Sequence, residues 1–145
     1  MPQRIINSAS LGDRDYQALA AFRHALRNFL HFSEAAAEAL GLTPQQHQAL
    51  LAIRGAPGDG RLTVGALAEQ LVIRPHSAVG LVSRLAAEGL VRREGGARDR
   101  RQVHVILTAK AKALLERLSR AHREELRRVG PSLRALLAQL DSSSG

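Results

Sequence analysis

Apolar residues recur at helical spacing along most of the chain and give way to strand-like alternation in only two short stretches. Between Asp13 and Leu40, the residues Tyr16, Leu19, Phe22, Leu26, Phe29, Leu30 and Leu40 mark one long amphipathic helix, with alanines between them. Gly41 predicts its end, because glycine adopts the left-handed conformation that closes a helix. Thr43-Pro44-Gln45-Gln46 then combines a hydroxyl N-cap, a first-turn proline and a glutamine able to reach back, so a second helix is expected from Pro44 to about Arg54. The breakers Gly55 to Gly60 form a loop, and Arg61-Leu62-Thr63 suits a very short strand. Thr63 caps a third helix with Leu67, Ala68 and Leu71 inward, ending near Val72. Ile73-Arg74-Pro75 is a tight connection to a fourth, from Pro75 to about Glu88, with Ala78, Leu81, Val82 and Leu85 at core spacing and Gly89 as its stop.

Strands are predicted over Leu90–Glu94 and Gln102–Leu107, on either side of a charged, glycine-bearing hairpin tip at residues 95–101. Thr108 caps a helix carrying Leu114, Leu115, Leu118 and Leu126 to Val129. Gly130-Pro131 is expected to break it before a last helix through Leu133, Leu136, Leu137 and Leu140, and residues 141–145 read as a frayed tail.

A chain of 145 residues that is 45% hydrophobic fits a single domain with a core and leaves no room for a separate catalytic domain. Lysine and arginine number 21 against 13 acidic residues, and this net charge of +8 favours polyanionic partners, nucleic acid or an anionic membrane surface. Aromatic residues make up only 3%, too few for platforms that stack single-stranded bases, so a duplex read through arginine is the easier construction. The lack of cysteine excludes disulfides, thiolate metal sites and thiol redox sensing. Nothing at the start resembles a signal peptide and no run is long enough to span a bilayer, so a cytoplasmic location is expected.

The face of the fourth helix turned away from its core positions carries His76, Ser77, Gly80, Ser83 and Arg84. Exposed helices favour Glu, Lys and Gln, so a face cleared of bulk and of acid is unusual and suited to close approach by DNA. Two helices joined by a tight turn and followed at once by a basic hairpin have the order of a winged helix-turn-helix.

Three stretches make the likeness specific: Leu62-Thr63-Val64-Gly65-Ala66-Leu67-Ala68, then Ser83-Arg84-Leu85-Ala86-Ala87-Glu88-Gly89-Leu90-Val91, then Asp99-Arg100-Arg101 leading into Val105-Ile106-Leu107-Thr108. In this order, with long helices on both sides, the chain resembles the MarR (multiple antibiotic resistance regulator) family over nearly its whole length. The resemblance implies a mainly α fold with a small antiparallel β wing, spanning residues 1–145 as one domain. A winged helix-turn-helix lobe would occupy residues 44–108 and dimerisation helices residues 13–41 and 109–141. It also implies a homodimeric regulator on a pseudo-palindromic operator, most simply a repressor, released by a small aromatic or anionic effector. Gly80 departs from the pattern, since many relatives carry a larger polar or basic residue there.

Double-stranded DNA is the partner expected for the recognition helix, with His76 and Ser77 near base edges and Arg74 or Arg84 at bases or phosphates. Other readings stay open at each position: a plain first-turn residue for His76, local backbone capping for Ser77 and an ion pair with Glu88 for Arg84. At the hairpin tip Arg98, Arg100 and Arg101 cluster with only Asp99 among them, a repulsion that phosphates and a narrow minor groove would relieve. The resemblance makes Arg101 the minor-groove finger and Asp99 its orienter; the alternative is a solvated charged turn.

Tyr16, Arg23, His24, Arg27 and His31 are candidates for an effector pocket, with ordinary surface or interface positions as the competing reading. No catalytic or metal-binding arrangement is recognisable, so neither an enzyme nor a cofactor is expected. A sequence-neutral architectural DNA-binding protein would use the same basic wing. Membrane-surface binding is disfavoured, because the densest arginines lie on a hairpin and not on one face of a helix.

Overall fold

A computed structural model describes residues 10–58, 60–95 and 103–142. The elements in order are α1 (Asp13–Ala39), α2 (Pro44–Arg54), β1 (Leu62–Thr63), α3 (Val64–Leu71), α4 (Pro75–Ala87), β2 (Val91–Glu94), β3 (His104–Leu107) and α5 (Ala109–Ser142). They divide into two compact units, one of residues 34–121 and one formed by residues 1–33 with 122–145.

In the unit of residues 34–121, local chemistry sets the ends of the helices. Thr43 Oγ1 accepts from Gln46 N at 3.1 Å while Gln46 Oε1 accepts from Thr43 N at 3.0 Å, the reciprocal capping box expected at α2. Gln46 is buried, and its amide also donates to Glu88 Oε2 at 3.1 Å, which joins the start of α2 to the end of α4. Thr63 caps α3 through Ala66 N. Thr108 accepts from Ala111 N at the start of α5 and donates to Gly89 O at 2.7 Å, so one hydroxyl fixes both a helix start and the turn after α4.

Three strands form an antiparallel sheet in the order β1-β3-β2. Leu62 pairs with Val105, and Val91, Arg92, Arg93 and Glu94 pair with Leu107, Ile106, Val105 and His104. The register turns Val91, Val105 and Leu107 into a core shared with Leu50, Ile53, Leu67, Leu81, Val82, Leu85, Leu115 and Leu118. Burying such side chains stabilises by about 1.5–3 kcal/mol each, and here that burial fixes which face of α4 is left outside.

In the second unit, α1 divides its apolar positions between two stripes. Ala18, Phe22, Ala25, Phe29 and Phe32 are wholly or partly covered, whereas Leu19, Leu26 and Leu30 are exposed. His122 sits edge-on to Phe29 and Phe32, with ring centroids 5.8 and 5.4 Å away, and its Nε2 lies 2.7 Å from Ser33 Oγ.

One sequence expectation is corrected here. Gly130-Pro131 does not end a helix: α5 is continuous from Ala109 to Ser142 with Pro131 inside it, so Asp141 and Ser142 are helical and not part of a frayed tail. A proline removes one amide donor and crowds the carbonyl four residues back, at a cost of about 3 kcal/mol. The covered positions Leu118, His122, Glu125, Val129, Leu133, Leu136 and Leu140 nevertheless keep three- and four-residue spacing across residues 130–131. That unbroken phase keeps one face of the helix covered on both sides of the proline.

Candidate nucleic-acid interface

α3 and α4 are joined by a turn of three residues, and the manner of its closure was not legible in the composition. α3 ends with Ile73 N bonded to Ala68 O at 3.0 Å and Val72 N to Glu69 O at 3.2 Å, which places Val72 in the left-handed position at φ 54°, ψ 47°. Among the described residues Val72 is the only non-glycine with positive φ, and it is 91% exposed. A β-branched side chain is strained there, so the turn is held against local preference by the helices on either side.

Pro75 starts α4 and Arg74 is its N-cap, without a side-chain capping bond. The Arg74 carbonyl accepts from Ala78 N at 3.1 Å, but its side chain offers no acceptor to the amides of His76 and Ser77, which leaves those available to an anion such as a phosphate. Ala78, Leu81, Val82 and Leu85 are buried, so the helix is anchored by one side. The opposite arc carries His76, Ser77, Val79, Gly80, Ser83 and Arg84, all at least partly exposed, and residues 74–87 contain no acid. Five of the six recognition-helix candidates, His76, Ser77, Gly80, Ser83 and Arg84, are therefore brought together on one outward face, and Arg74 stands at the N-cap of the same helix.

Two features refine that face. A Cβ built on Gly80 would lie 3.5 Å from an Arg84 guanidinium nitrogen, so the space left by the glycine is bordered by Arg84. Arg84 forms no ion pair among the described residues, and the Glu88 carboxylate is engaged by Gln46. Ser83 Oγ accepts from Arg93 Nη2 at 3.1 Å, which brings a cation from β2 onto the flank of α4.

Arg93 and Val79 were not among the sequence candidates. Strand alternation held the signal for Arg93, since it shares a face with buried Val91 and that face looks toward α4. For Val79 the signal was its place three residues after His76; it is 52% exposed, an apolar group suited to a thymine methyl.

Arg98, Asp99, Arg100 and Arg101 lie outside the described residues. Tyr16, Arg23, His24, Arg27 and His31 are exposed along α1, with His24 Nε2 placed 3.2 Å from Asn28 Nδ2. Among the described residues no three His, Asp or Glu side chains are grouped to hold a metal, and no helix is long and apolar enough to cross a membrane.

Comparison with known proteins matches these features to a family. Residues 40–102 match the sequence profile of the MarR family. Among solved structures, AbsC, a MarR family transcriptional regulator from Streptomyces coelicolor, superposes with a TM-score of 0.71 at 24% identity, covering 94% of this chain and 93% of that one. MepR, a transcription regulator of the multidrug efflux pump MepA in Staphylococcus aureus, gives a TM-score of 0.72 at 20% identity, over 86% of this chain and 96% of its own. A MepR point variant bound to an oligodeoxyribonucleotide gives 0.67 at 22% identity, over 87% and 96%. No curated protein matches in sequence. The profile match takes in the capped α2, the helix-turn-helix and the start of the wing, and over most of its length the chain shares the fold of these MarR family regulators.

Proposed function

We propose that the protein is a homodimeric, sequence-specific repressor that binds a pseudo-palindromic operator and is released by a small-molecule effector. The observation that carries this reading is the acid-free outer arc of α4, where His76, Ser77, Gly80, Ser83 and Arg84 stand together with Arg93 at their edge. Such an arc fits a major groove about 12 Å wide, where base edges present distinct donors and acceptors. His76 and Ser77 read base edges, while Arg74, Arg84 and Arg93 contact bases or phosphates. In the wing, Arg98, Arg100 and Arg101 reach the minor groove with Asp99 orienting Arg101, as the family resemblance implies. The oligodeoxyribonucleotide bound by the MepR variant supports a DNA partner.

Dimerisation is supported by the apolar side chains left outside on the terminal helices: Leu19, Leu26 and Leu30 of α1, and Leu126 and Leu137 of α5, each between 39% and 52% exposed. A second copy would bury them and set two α4 helices about one DNA turn apart. The effector would bind near Tyr16, Arg23, His24, Arg27 and His31 and favour one spacing of the two reading helices.

The deciding experiment is competition of genomic fragments against random duplex at fixed salt. A preferred fragment bound at least about a thousandfold more tightly establishes a specific regulator. Equal affinity for all duplexes would instead make the protein an architectural one, a reading favoured by the missing side chain at Gly80.

A further inference from the structure

The unit of residues 34–121 carries a second concentration of cations, away from the face of α4. Four basic side chains from four segments line one cavity of about 160 Å³: Arg54 at the end of α2, Arg61 just before β1, Arg92 on β2 and Lys112 in the first turn of α5. Ile106 contributes to its apolar lining, and Glu94 is the one carboxylate among the described residues that line it, paired with Arg61 at 3.5 Å. Arg54, Arg92 and Lys112 form no ion pair among the described residues. A water needs about 10–15 Å³ of such space, so the cavity has room for a small molecule as well as its hydration.

Strand alternation separates this cavity from the groove face. Arg93 turns toward Ser83 of α4, while its neighbour Arg92, opposite Ile106, turns to the other side of the sheet. Gathering three unpaired cations around one cavity is unfavourable in the free protein, and a multiply charged anion would relieve that repulsion through charge-assisted hydrogen bonds. Guanidinium forks suit phosphate and carboxylate oxygens in particular.

We propose that this cavity binds a small, multiply charged anion of the phosphate or polycarboxylate class, held by Arg54, Arg92 and Lys112, with Arg61 kept at the rim by Glu94. The site joins α2, β2 and α5, and none of the residues that line it belongs to the DNA-reading helix.

The test is calorimetric titration of the full-length protein with sodium pyrophosphate, with ionic strength held constant by chloride and no DNA present. Saturable binding is expected, weakened about tenfold or more in Arg92→Gln and in Lys112→Gln and unchanged in Arg117→Gln. All three positions are exposed, so circular dichroism should report intact folds. Heats that follow ionic strength alone, or binding equal in every variant, would overturn the proposal. So would variants that bind no pyrophosphate differently but lose DNA affinity and salt dependence, since the cluster would then serve backbone phosphates. Because the titration omits DNA, its failure leaves the regulator reading to be judged by the duplex competition.

Discussion

Arg93 of β2 donates to Ser83 of α4 at 3.1 Å, so the wing's first strand and the reading helix share a hydrogen bond at the edge of the groove face. The two residues are expected to respond differently to truncation. Arg93→Ala removes a cation, so it should weaken duplex binding by about 1–3 kcal/mol and reduce the salt slope by about one. Ser83→Ala keeps the charge and loses only its tether, so affinity should fall by less than about 1 kcal/mol with the slope unchanged. Fluorescence anisotropy over a salt series separates the two, and equal slopes for Arg93→Ala and the parent would remove Arg93 from the interface.

Val72 tests the strain in the helix-turn-helix. Its φ of 54° suits glycine, and at 91% exposure its side chain contributes little burial. Val72→Gly should therefore stabilise the protein by about 1 kcal/mol, raising Tm by roughly 2–4 °C for a chain of this size. Urea unfolding followed by circular dichroism measures it. A lower midpoint would mean that the valine makes a contact worth more than the strain.

Much of this architecture was legible beforehand because it rests on local chemistry. Thr43 with Gln46, Thr63 and Thr108 announce helix starts through side chains that bond to amides three residues on, and all three caps form. The outward face of α4 was legible because burial of Ala78, Leu81, Val82 and Leu85 at helical spacing leaves only one arc outside. The failures came where a local rule met a longer-range pattern. Gly130-Pro131 reads as a break, yet the spacing from Leu118 through Val129 to Leu140 was in phase across it and outweighed the local penalty. Val72 gave no sign of its left-handed backbone, because that conformation is imposed by the closing bonds of α3 and by Pro75 and not by the residue itself. Arg93 escaped notice since its role depends on which face of β2 meets α4, a matter of tertiary packing.

The pair formed by Glu125 and Arg128 in α5 predicts a pH effect. The hydrogen bond from Arg128, aided by its charge and opposed by partial desolvation, holds the Glu125 carboxyl below its ordinary value. A depressed folded-state value means that the contribution is fully present above the ordinary carboxyl range and is lost as pH falls through the lowered value. Glu125→Gln should therefore lower the urea midpoint slightly at neutral pH, and the difference from the parent should vanish once the pH has fallen through the lowered value. A difference independent of pH would show that the glutamate acts through packing alone.

Arg101 carries the wing hypothesis. If it enters the minor groove with Asp99 orienting its guanidinium, Arg101→Ala should cost on the order of 1–3 kcal/mol of operator affinity. Asp99→Asn should lose less, because the cation remains. Gel-shift titrations at moderate salt with the preferred genomic fragment would test both, and an unchanged affinity for Arg101→Ala would exclude the wing from the contact.

Gly80 decides whether the reading helix depends on a missing side chain. In the middle of an exposed helical face a glycine costs about 1 kcal/mol relative to alanine, so its presence needs a reason. The structure supplies one candidate: the Arg84 guanidinium borders the space above it, with 3.5 Å to an added Cβ. Alanine meets Arg84 at ordinary van der Waals distance, so Gly80→Ala should raise stability by about 1 kcal/mol and leave duplex affinity within about twofold. Glutamine at the same position is a good helix former but would occupy the space beside Arg84. If Arg84 must lie there to reach DNA, Gly80→Gln should be as stable as Gly80→Ala yet bind the operator about tenfold or more weakly, and combining it with Arg84→Ala should add little further loss. Additive losses in that double variant would show that glutamine blocks the groove directly and that Gly80 serves close approach of the duplex, not the placement of Arg84.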